Sequence, residues 1–108
     1  MTHTPEFQSA HDAYLAGTDD LVGRMYAKAN AAFAESESAF EVYQAEYQAS
    51  DGEQSDKLTY LQTKYLDASE MFNCASKAAH SVAEAAGTGA MAAGRAAEKQ
   101  QANKEANQ

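Results

Sequence analysis

The residues with the most chemical promise are Cys74, His80 and Glu84. His80 and Glu84 stand four apart, which places them on one face of a helix, and Cys74 lies six residues before the histidine. A structural zinc site needs four clustered ligands at recurring spacings, and no spacing rule brings His3 or His11 to this group. Ordinary surface residues are the simpler account. Cys74 reads as an accessible thiol that can form an intermolecular disulfide, and nothing nearby marks it as an activated nucleophile.

Asp51-Gly52-Glu53 opens like a calcium loop, but such a loop needs Gly at its sixth position and Glu at its twelfth. Those positions hold Asp56 and Gln62, so the stretch is a turn. The sequence has no glycine-rich phosphate loop, nucleophile elbow or HExxH helix. Its carboxylates fall on solvent-facing helix positions, with no apolar pocket to raise a pKa. The expectation is a non-enzyme that uses no cofactor and no metal.

The acids are unevenly spread. Between Lys28 and Lys57 stand Glu35, Glu37, Glu41, Glu46, Asp51, Glu53 and Asp56, with no Lys or Arg among them. A solvated helix face is the ordinary account of such a run, and a basic partner groove is the sharper one. The net charge of −8 opposes binding to nucleic acid or anionic lipid, both polyanions that recruit Lys and Arg.

These residues sit on two apolar seams. Leu58, Leu61, Tyr65, Ala68, Phe72, Ala75, Ala79, Val82 and Ala86 follow one another at alternating steps of three and four. Val22, Tyr26, Ala29, Phe33, Ser36, Phe40, Tyr43 and Tyr47 do the same, with Ser36 as the one polar member. Two such heptad seams joined by a polar turn predict an all-α, coiled-coil-like, long antiparallel helical hairpin. Folding about the turn pairs positions whose numbers sum to 104 or 105, so that Phe40 meets Tyr65 and Phe33 meets Phe72.

The expected hairpin domain is 1–86, with helices at about 5–16, 19–49 and 56–86 and a turn at 50–55. Residues 1 to 3 fray. Thr4 caps the short N-terminal helix ahead of Pro5 and Glu6. Gly17 followed by Thr18-Asp19-Asp20 reads as a kink and a fresh cap, although a continuous helix carrying Gly17 at about 1 kcal/mol stays open. So does the question of whether 5–16 folds back on the hairpin. Residues 87–108 read as a glycine hinge (Gly87-Thr88-Gly89), an alanine-rich segment and a disordered polar C-terminal tail.

Phe7, Tyr14, Leu15, Leu21, Met25, Tyr60, Leu66 and Met71 do not fit the seams. In a chain of 108 residues with so small an interior, such a set predicts a second interface and a homo- or hetero-oligomer. Met25, Tyr60, Leu66 and Met71 are its candidate contacts. Glu35, Glu37, Glu41 and Glu46 are the candidates for a basic partner.

In the second seam, Leu58-Thr59-Tyr60-Leu61-Gln62-Thr63-Lys64-Tyr65 and then Asn73-Cys74-Ala75-Ser76 resemble the second helix of type III secretion needle and inner-rod subunits. Leu58, Gln62, Lys64, Asn73 and Ser76 are the matching positions. The helix-turn-helix layout and the length are also similar to the Trp-x-Gly secreted hairpins of the type VII pathway, without their Trp-x-Gly turn. Both resemblances imply a small exported or export-associated hairpin that works by assembly.

The functional expectation is therefore protein-protein association, as a secretion-system subunit or secreted substrate that oligomerises. The alternative is an acidic helical inhibitor or chaperone that occupies a basic groove. No apolar run is long enough to span a bilayer, and the N-terminus lacks the features of a cleaved signal peptide. The expected location is the cytoplasm, with export without a cleaved signal peptide left open.

Overall fold

Two helices and one turn make up the fold, an all-α helical hairpin seen in a computed structural model that describes residues 3–107. Helix α1 spans Pro5–Ala49 and helix α2 spans Asp56–Ala106. Met1, Thr2 and Gln108, part of the expected frayed start and polar tail, lie outside the described residues.

Helix α1 begins as its sequence dictates. The Phe7 amide donates to Thr4 Oγ1 at 3.1 Å, Pro5 occupies the first turn where no N–H is needed, and Glu6 faces the positive end of the helix dipole. Its other end closes with a pair of bonds that needs a left-handed residue. The Gly52 amide donates to the Tyr47 carbonyl at 2.8 Å and the Asp51 amide to that of Gln48 at 3.3 Å, with Asp51 at φ 53°. Gly52 follows at φ 76° and carries the Tyr47 ring against its Cα, where a β-carbon would lie 3.0 Å from the ring. Ser55 then caps α2 through its Oγ, which accepts from the Leu58 amide at 3.1 Å.

Contacts divide the chain into two compact units. The turn unit is Arg24–Ala79, and the terminal unit joins Met1–Gly23 to His80–Gln108. Within the turn unit the expected register holds: Phe33 meets Phe72 with ring centroids 5.1 Å apart, and Phe40 meets Tyr65 at 5.0 Å. Both pairs sum to 105. Leu58, Ala29 and Ala79 are buried, as is Ser36.

The terminal unit departs from the expected boundaries in two ways. There is no break at Gly17: α1 runs through it, and the Thr18 hydroxyl donates back to the Leu15 carbonyl at 3.1 Å instead of capping a new helix. One glycine costs a helix about 1 kcal/mol, which the burial of Phe7 at the start of the same helix offsets. The second departure concerns the segment after Ala86: residues 87–106 are neither hinge nor disordered tail but a continuation of α2 to Ala106. Two of its glycines, Gly89 and Gly94, mark close approach. Phe7, only 2% exposed, lies over Gly94, and Tyr14 lies over Gly89, where any β-carbon would overlap the ring. Residues 5–16 therefore do not fold back but continue α1 alongside the extended end of α2, and Phe7 is buried, as are Ala86 and Ala90. The Thr4 amide also donates to Glu98 at 3.3 Å, and Gln101 to Glu105 at 3.3 Å, so the polar end has partners of its own.

Candidate interaction surface

A pair of helices buries only the strip where the two meet, so large side chains in that strip spread to either side. In the turn unit this spread gives two faces. On one, Glu35, Ser38, Ala39 and Val42 of α1 meet Leu61, Lys64 and Ala68 of α2 around an open groove of about 260 Å³. On the other, Phe33, Ser36, Glu37 and Phe40 meet Tyr65, Ser69, Phe72 and Asn73 around a groove of about 290 Å³. Phe40, Tyr43, Gln44 and Tyr47 carry that second face on toward the turn.

The second face holds residues whose phase placed them in the seam and whose size does not fit there. Phe33, Phe40 and Tyr47 remain 46%, 39% and 49% exposed. They stand seven residues apart, two helical turns at each step, so they form a row along α1. The pairing of Phe with Phe and Phe with Tyr explains the exposure of Phe33 and Phe40. Two rings on facing positions exceed the width of a two-helix seam, and tilted packing at 55° and 52° leaves one edge of each in water.

The predicted contact residues do not form one site. Tyr60, Leu66 and Met71 are exposed as expected, but Met25 is half-buried in α1. Tyr60 and Met71 are eleven residues apart, about three full turns, and share an edge of α2, with Lys64 Nζ 5.5 Å from the centre of the Tyr60 ring. Met71 borders an open hollow with Asp67, Glu70, Cys74 and Ala75. Leu66, six residues after Tyr60 and five before Met71, points well away from that edge, at about 100° of rotation per residue.

The four predicted acids separate as well. Glu35 lines the first groove with Lys64. Glu46 pairs with Lys57 at 3.2 Å. Glu37 lines the aromatic groove, and Glu41, four residues on, follows it along the exposed surface of α1. The acid run is therefore split between faces: Glu37 lines the aromatic groove, and Glu41, one turn further and about 100° of rotation from Phe40, lies outside its lining on the side of Glu37.

Cys74, His80 and Glu84 lie along α2. Cys74 is a free, exposed thiol. Among the described residues no three His, Cys, Asp or Glu side chains gather into a group able to hold a metal ion. Asp12, in the terminal unit, has its carboxyl held below the ordinary value. The chief cause is a hydrogen bond from His11 Nδ1 at 3.1 Å, followed by one from Gln8 Nε2 at 2.8 Å. Among the described residues no helix is long and apolar enough to cross a membrane.

The sequence alone missed the aromatic row as a surface, because heptad phase reports direction and not how much of a side chain is covered. The available signal was volume: three large aromatics on one strand of a seam, two of them facing rings on the other. Compared with known protein families, curated proteins and solved structures, the chain matches none.

Proposed function

We propose that this chain is a non-enzymatic helical protein that acts by protein-protein association, and that its contact surface is the aromatic face of the turn unit. The observation that carries the reading is the row Phe33, Phe40 and Tyr47, 39% to 49% exposed at positions whose phase belongs to a core. Isolated exposed apolar residues need no partner, but a heptad-spaced aromatic row along a groove is the pattern of a helical contact. Leu66 and Val42, both exposed, extend the apolar surface of the same unit.

Within this class the chain is read as a secretion-system subunit or secreted substrate that forms homo- or hetero-oligomers, on the Leu58, Gln62, Lys64, Asn73 and Ser76 pattern of α2. A second reading, an acidic inhibitor or chaperone that enters a basic groove, is supported by the stretch from Ala29 to Ser55, which contains no Lys or Arg.

Size-exclusion chromatography with light scattering tests self-association, and a pull-down from the native host tests a foreign partner. The expected result is a species heavier than the 11.6 kDa chain or a retained protein, lost on Phe40→Gln with the helix content unchanged. A strict monomer at high concentration that retains nothing overturns the reading.

A further inference from the structure

We infer that the aromatic face of the turn unit takes one amphipathic helix from a basic protein partner, with apolar residues at heptad spacing toward the groove and Lys or Arg along one edge. This rests on the reading that the aromatic face is the contact surface, and names what occupies it.

The groove sets the shape of the occupant. It runs between two helices whose backbones are already satisfied, so it offers no free strand edge and accepts side chains only. Phe33, Phe40 and Tyr47 span fourteen residues, about 21 Å at 1.5 Å per residue, and repeat every two turns. A third helix laid along them matches this repeat and covers the outer edges of the Phe33 and Phe72 rings and of Phe40 and Tyr65. Those edges are what the pair leaves in water.

Charge sets its chemistry. Glu37 lines the groove and Glu41 lies one turn further along the exposed surface of α1. From Ala29 to Ser55 the chain has no cation to answer them, whereas Glu35 shares its groove with Lys64 and Glu46 has Lys57 at 3.2 Å. A partner helix with basic residues three or four apart meets both free carboxylates at once. A second copy of this chain would bring a net charge of −8 and its own acid run, which like-charge repulsion disfavours.

The test uses the full chain and two labelled synthetic peptides of about three heptads, identical in a leucine face and flanked either by Lys and Arg or by Glu. Fluorescence anisotropy at low and moderate salt reads their affinities. The basic peptide is expected to bind at least about tenfold more tightly than the acidic one, and to weaken as salt rises. E37Q/E41Q should weaken it about fivefold and flatten the salt dependence. E35Q/E46Q, the same change in net charge on other surfaces, should leave it within about twofold.

Equal loss in the two double variants would mean diffuse attraction to an acidic protein and would overturn the inference, as would equal binding of the two peptides. If neither peptide binds while the chain self-associates and Phe40→Gln abolishes this, the contact surface stands and its occupant is a second copy. If neither binds and the chain is a monomer without partners, the surface assignment falls too.

Discussion

Replacing Gly94 by alanine should destabilise the protein, although the same change is favourable in most helices. An alanine β-carbon at this position would lie 2.5 Å from Phe7 Cδ2, 2.6 Å from Cε2 and 2.8 Å from Cγ, well inside contact distance. The ring is 2% exposed, so it cannot swing aside without losing its burial. Overpacking of this kind costs about 1–3 kcal/mol, against a gain of about 1 kcal/mol from helix propensity. The net expectation is a loss of about 1 kcal/mol. Removing the ring should reverse the sign: in a Phe7→Ala background, Gly94→Ala should stabilise by about 1 kcal/mol, a coupling of about 2 kcal/mol in the double-mutant cycle. Gly87 supplies the control. It has no neighbour within 4 Å of an added β-carbon, so Gly87→Ala should raise stability by about 0.5–1 kcal/mol. Urea unfolding followed by far-ultraviolet circular dichroism measures all five proteins. If Gly94→Ala were as stable as wild type, or had the same sign in both backgrounds, the packing of Phe7 on Gly94 would be refuted.

Two further predictions follow from burial and from the one perturbed carboxyl. Leu58→Ala should cost about 2–4 kcal/mol, because this side chain is 1% exposed beneath the turn, whereas Leu66→Ala at 54% exposure should stay within about 0.5 kcal/mol; the same unfolding curves decide both. Asp12 should titrate below its ordinary value of 3.8, and its midpoint, read by carbon NMR, should rise on His11→Ala and by less on Gln8→Ala. Because the folded value is the lower one, the stabilisation linked to Asp12 is present above the unfolded pKa and is lost as pH falls through the folded one. A midpoint unmoved by either substitution would contradict the hydrogen bonds seen to His11 and Gln8.

Much of the turn unit was legible beforehand, because each local signal there has one meaning. Ser50-Asp51-Gly52 is a turn whether read from glycine content or from the left-handed geometry that Asp51 and Gly52 adopt. The register followed from two seams of equal phase, and the Phe33–Phe72 and Phe40–Tyr65 pairs fall on it. The terminal unit was less legible because glycine has two uses in a helical context: it can end a helix or let another group reach its backbone. Gly89 and Gly94 serve the second use, and only the positions of Tyr14 and Phe7 in space distinguish it from the first. The candidate surface was legible in kind but not in membership. The spacing points Met25, Tyr60, Leu66 and Met71 outward; Met25 is half-buried and the other three are exposed. Spacing alone puts the aromatic row in the interior, because it says nothing about whether two facing rings can both be covered.

Phe7 and Gly94 are separated by 87 positions and Tyr14 and Gly89 by 75, so the contacts of the terminal unit join the beginning of the chain to its far end. A nascent chain therefore carries both aromatic rings without their binding sites until residues 89 and 94 have been synthesised. The same holds for any shortened version that ends at residue 86: removing a stretch that looks dispensable by composition uncovers Phe7 and Tyr14, and replaces a folded end with a sticky one.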